Sequence, residues 1–148
     1  MNSLNNFAKT LDLYYVKLPA LPKGVRNFII SLMPWLVLAF GILAVLGGIG
    51  TLGSLSNASS FAVIMGTQMY VFLAIASAVI SLAQGVIELM SYSPLKAGKI
   101  RGWNLLFYCL LLGVVSSAIT LNINVIISSI IWTLIGYYFL YQIKSYYK

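Results

Sequence analysis

The sequence predicts an all-α membrane protein: four transmembrane helices in an up-down bundle, preceded by an amphipathic helix lying at the membrane interface. Three observations lead there. Of 148 residues, 61% are hydrophobic, 7% are charged and none is histidine. With a mean hydropathy of +0.97, the chain has too little polar surface to cover a soluble domain, whose charged share is roughly 25%. The apolar residues gather in four windows of about membrane-crossing length, and all 9 Lys and Arg lie in the segments that would share one side of the bilayer.

The N-terminal segment, 1–27, is set apart from the transmembrane domain, 28–148. Leu4, Phe7, Ala8, Leu11, Tyr14, Tyr15 and Leu18 recur at spacings of three and four, while Asn5, Asn6, Lys9, Asp12 and Lys17 fall largely elsewhere. That is the period of an amphipathic helix, with Ser3 as a cap and Pro19 and Pro22 as stops. Aromatic residues and lysines on such a helix suit the cytoplasmic interface. The other use of the same face is packing against the protein's own loops or a partner.

The windows are 28–49, 61–90, 103–120 and 125–143, holding 22, 30, 18 and 19 residues. A helix needs about 20 residues to cross about 30 Å of hydrocarbon. Connections are expected at 50–60 and 121–124, neither of which carries a charge. Lys9, Lys17, Lys23 and Arg26 precede the first window, Lys96, Lys99 and Arg101 follow the second, and Lys144 and Lys148 follow the fourth. This asymmetry predicts cytoplasmic termini and a cytoplasmic middle loop, in a plasma or bacterial inner membrane. Tyr137, Tyr138, Tyr141, Tyr146, Tyr147 and Trp103 are expected beside that face as interfacial anchors. Ser56-Asn57-Ala58 has the small residues of a signal-peptide cleavage site, but the preceding apolar run is too long and its n-region too extended, so the first span is expected to be retained.

The basic residues point to the bilayer and its anionic head groups on the cytoplasmic side, and not to nucleic acid. Lys23-Gly24-Val25-Arg26 is echoed by Ala97-Gly98-Lys99-Ile100-Arg101, a similarity short enough to arise by convergence. Gly48-Ile49-Gly50-Thr51-Leu52-Gly53 fits the dinucleotide pattern without the strand, helix and acid that its mechanism needs, and reads as a flexible exit from the first span. Gly98-Lys99 lacks the rest of a phosphate loop. Asn57-Ala58-Ser59 is a glycosylation sequon, relevant only in a secretory membrane. Cys109 alone closes no disulfide and reads as a small packing residue.

Two carboxylates, Asp12 and Glu88, are the whole acid inventory. Glu88 lies near the basic end of the second window, where snorkelling or pairing with Arg26, Lys96, Lys99 or Arg101 is expected. Without histidine or a base beside a serine, no catalytic pair and no metal or cofactor site is expected. A lipid-modifying enzyme would need partners the chain lacks.

The most specific pattern is in the second window. Thr67, Tyr70, Ala74, Ser77, Ser81, Gln84 and Glu88 alternate at three and four, while Met65, Phe72, Ile75, Val79, Leu82, Val86 and Leu89 fall opposite. In lipid, small and polar residues favour helix contacts, so the first set should face protein and the second lipid. The first window offers a matching line, Pro34, Val37, Gly41, Ala44, Gly48 and Thr51. The third offers Cys109, Gly113 and Ser117, and the fourth Ser129, Thr133 and Gly136. Trp132, mid-membrane, needs a pocket or a neighbour. The expected function is that of a non-enzymatic accessory, assembly or structural subunit, meeting other membrane subunits or copies of itself through lateral contacts. The alternative is a small oligomeric transporter or channel whose path is lined by the second span.

Overall fold

Pro22 lies immediately before the first helix, and its carbonyl accepts the Arg26 amide at 3.1 Å. A proline tolerates that place because a helix leaves its first amides without intrahelical partners. The computed structural model describes residues 10, 14–15, 19–64 and 68–148. They form α1, Lys23–Ile64, α2, Gln68–Lys96, α3, Ile100–Ile119, and α4, Ile123–Gln142, followed by a 3-10 turn at Lys144–Tyr146. Among the described residues there is no strand. All four helices are long and apolar enough to cross a membrane.

The expected connection at 50–60 is instead helical, part of the 42-residue α1. α1 is described to Ile64 and α2 from Gln68, so the window 61–90 straddles two helices. The glycines near 48 do not form a flexible exit. Thr51 Oγ1 donates to the Gly47 carbonyl at 2.9 Å and Ser54 Oγ to the Thr51 carbonyl at 2.8 Å, so these hydroxyls are satisfied along the helix itself and no break is needed. The first helix begins five residues before the expected 28 and the second ends six after the expected 90, while the bounds of the last two lie within three residues of expectation. Asn122, with its carboxamide oxygen accepting the Asn124 and Val125 amides, caps α4.

After α2, Gly98 adopts φ +66°. Lys99 N–H then reaches the Pro94 carbonyl and Gly98 N–H the Leu95 carbonyl, the paired closure that a left-handed glycine permits. Gly102 follows so closely that a Cβ there would stand 2.6 Å from the Leu95 nitrogen. The elbow is clasped by the end of the chain: Lys148 N–H donates to the Gly98 carbonyl at 3.0 Å, and its own carbonyl accepts the Ile100 amide at 2.8 Å.

Packing runs from α1 to α2, from α2 to α3 and from α3 to α4. The main core gathers around the elbow and the tail, from Leu95, Trp103, Phe107, Leu140 and Ile143. Trp103, Tyr137 and Tyr147 are buried in it, not displayed as interfacial anchors. Trp103 Nε1 donates to the Leu140 carbonyl at 2.8 Å and Tyr137 Oη to the Phe107 carbonyl at 3.2 Å, which is how large rings with one polar atom can fill a core. Tyr146 remains exposed.

Most of the expected amphipathic helix lies outside the described residues. Tyr15 stacks on Tyr141 with centroids 5.0 Å apart, and its hydroxyl donates to the Leu134 carbonyl at 3.2 Å. Tyr138 Oη and Gln142 Nε2 both donate to the Pro19 carbonyl. This part of the N-terminal segment is therefore tied to α4.

Candidate functional site

The site is built on α2, which lies between α1 and α3. Its approach to α1 depends on missing side chains. A Cβ on Gly85 would lie 2.8 Å from Val45 Cγ2 and 2.9 Å from the Gly41 carbonyl oxygen, and one on Gly48 would lie 2.7 Å from Leu82 Cγ. Backbones this close gain dispersion contacts that bulky side chains would prevent. Ser81 Oγ adds a hydrogen bond across the crossing, to the Ala44 carbonyl at 3.1 Å.

Toward α3, Cys109 donates its thiol to Glu88 Oε1 at 3.3 Å, with the Gln84 carbonyl 3.8 Å from the same sulfur. Glu88 Oε2 is buried without a hydrogen-bond partner among the described residues. The expected snorkelling or ion pairing of Glu88 is not what the structure contains. The helix continues to Lys96, so the carboxylate sits about 12 Å, at about 1.5 Å per residue, short of that end. Cys109 becomes its donor rather than a purely apolar filler. The regular spacing of Cys109, Gly113 and Ser117 marked the face but not this bond.

The other residues of the polar line separate. Thr67 lies outside the described residues. Tyr70 is 74% exposed, away from any packed seam. Ala74 and Ser77 are half-buried, and Ser77 Oγ returns to the Ala74 carbonyl of its own helix at 3.0 Å. A line drawn at a period of 3.5 drifts by about 20° per heptad on a helix of 3.6 residues per turn. Three heptads therefore distribute it over different neighbours. The same drift turns Leu82 and Leu89, expected in lipid, toward Gly48 and Gly41. The fully buried positions, Ala78, Gly85, Ser91 and Leu95, belong to neither list; the small pair Ala78 and Gly85, seven apart, was the available signal.

At the basic end, Lys23 is exposed on the first residue of α1 and Arg26 is half-buried. Lys99 and Arg101 border a shallow groove beside Ser93 and Leu105. Lys96 holds its ammonium 5.6 Å from the Trp35 ring centre and 5.8 Å from that of Tyr92. Burial, reinforced by Tyr146, pushes the Tyr147 hydroxyl up to about 12. Among the described residues no three His, Cys, Asp or Glu side chains come together as metal ligands would.

No family model matches this sequence, and neither a curated protein nor a solved structure matches it.

Proposed function

We propose that this is a non-enzymatic multi-pass protein of a plasma or bacterial inner membrane, acting as an accessory, assembly or structural subunit through lateral helix contacts. Its four helices insert as an up-down bundle, with both termini and the 97–99 elbow in the cytoplasm. Support for the bundle comes from the pairings of Gly41 with Glu88 and Leu89 and of Gly48 with Ala78 and Leu82, which run in opposite order along the two helices. Support for the orientation comes from the one-sided distribution of the 9 basic residues.

The observation that carries the lateral-contact reading is Trp132, 71% exposed in the middle of α4 beside exposed Ile131, Ile135 and Phe139. On α2, by contrast, Ser81 and Glu88 Oε1 already take their partners from neighbouring helices of the same chain. An indole in mid-membrane presents a large surface and an N–H that a protein neighbour satisfies better than lipid tails do. Purification in mild detergent, with mass identification of what stays bound, tests the reading. A stoichiometric partner or a defined homo-oligomer, disrupted by Trp132→Ala, is expected; a monomer that binds no protein rejects it.

One observation favours a second reading, an oligomeric transporter: the partnerless Glu88 Oε2 inside the helices. A pH-dependent solute flux in liposomes, abolished by Glu88→Gln with assembly retained, would put transport first.

A further inference from the structure

The chain holds 9 Lys and Arg against 2 Asp and Glu, a net charge of +7, so most of its cations must find their counter-ions outside the chain. One of them stands in a cleft suited to a particular kind of anion. Between the start of α1, the end of α2 and the tail lies a cavity of about 430 Å³ bordered by Lys96, Asn27, Ser31 and Tyr146. The Trp35 and Tyr92 rings sit edge to face, 5.8 Å apart, and hold the Lys96 ammonium over both. Attraction to ring faces positions a cation while leaving its N–H donors available. A carboxamide, two hydroxyls and an ammonium thus border one cleft with no carboxylate among them.

The remaining walls are Ile30, Pro34, Trp35 and Leu95. Leu32 and Leu36, next in sequence to Ser31 and Trp35 of the lining, are exposed on the same helix and extend its apolar surface. An occupant that suits both parts carries negative charge and hydrogen-bonding oxygens at one end and hydrocarbon at the other. We propose that this cleft binds the headgroup of an anionic glycerophospholipid, its phosphate on Lys96 and its polar substituent among Asn27, Ser31 and Tyr146, with an acyl chain along α1. The assignment rests on the membrane reading above and adds a defined site and ligand class to it.

The test uses the full chain purified in mild detergent and exposed to equal amounts of phosphatidylglycerol and phosphatidylcholine, with retained lipid read by native mass spectrometry. Retention of phosphatidylglycerol should exceed that of phosphatidylcholine by about five-fold, the order expected of one well-placed cation. Lys96→Gln should bring the two near parity, Lys96→Arg should keep the preference, and Asn27→Ala with Ser31→Ala should reduce it. Lys23→Gln, which removes the same charge from an exposed residue outside the cleft, should leave it intact. Parity in the unaltered chain, or equal losses from Lys23→Gln and Lys96→Gln, would overturn the site. Competition by sn-glycerol 3-phosphate at the lipid's own concentration would assign the cleft to a soluble phosphate ester and overturn the lipid. Alkaline extraction of cell membranes separates the two levels. A chain that is extracted refutes both membrane reading and site, whereas one that stays integrated but shows no preference refutes the site alone.

Discussion

Cys109 donates its thiol to Glu88 Oε1 across 3.3 Å, so the acid within the apolar helices is held by a weak, neutral donor on α3 and not by a cation. The partner oxygen, Oε2, has no hydrogen bond among the described residues. A buried acceptor that loses its donor costs about 1–3 kcal/mol. Cys109→Ala should therefore lower stability by about that much, and Cys109→Ser, which restores a hydroxyl donor, by less. Glu88→Gln should be neutral or stabilising. Denaturant titration in detergent reads all three; Cys109→Ala matching the unaltered chain would show that the bond has no weight.

The α1 and α2 crossing makes a sharper distinction between glycines. Gly85→Ala drives a methyl into Val45 and the Gly41 backbone, whereas Gly47→Ala meets nothing within 4 Å. Overpacking of this kind costs about 1–3 kcal/mol. At the open position, replacing glycine by the better helix former gains up to about 1 kcal/mol. Opposite signs in one unfolding assay are expected; equal values would mean that the helices do not cross where the glycines stand.

Two serines one turn apart have different work. Ser81 bonds to α1 and Ser77 to its own helix. Ser81→Leu should lose about 1–3 kcal/mol through bulk and a broken interhelical contact, and Ser77→Leu clearly less. The comparison is made by thermal unfolding in detergent, where equal losses would contradict the assignment.

Tyr147 is 4% exposed, and its hydroxyl is buried without a hydrogen-bond partner among the described residues. Its folded pKa, raised to about 12, lies above the unfolded value near 10. For a group raised in this direction the contribution to stability is complete below about pH 10 and declines as pH climbs through about 12. Tyr147→Phe should leave neutral-pH stability unchanged or higher, because a buried hydroxyl without a partner disappears, and should remove this component of alkaline loss. Melting temperature against pH, with phenolate absorbance, checks both.

Much of the architecture was legible because hydropathy and helix chemistry are local. Apolar length located the four helices, Pro22 precedes the first, and Pro34, Val37, Gly41 and Gly48 already lay on the face of α1 that is buried. What was not legible depends on neighbours. The stretch 50–60 looks like a loop because glycine, serine and asparagine favour loops in water, yet a helix can satisfy its hydroxyls internally, as Thr51 and Ser54 do. The division of α2 between two partners needed the helix drift and the position of α3. Likewise, Trp103 and Tyr137 have the composition of interfacial anchors, and only the carbonyls of Leu140 and Phe107 explain why they turn inward.

The clasp between Lys148 and the 98–100 elbow also imposes an order in time. Gly98 is synthesised 50 residues before the partner that pairs with it, an interval of roughly 3 to 10 seconds at about 5–20 residues per second. Through that interval the turn between α2 and α3 lacks two of its backbone bonds, and Leu95 and Trp103 lack the Ile143 and Tyr147 side chains of their core. The α2–α3 hairpin therefore stays a loosely joined pair until Lys148 has been made, and its final angle waits on a partner 50 positions further along the chain.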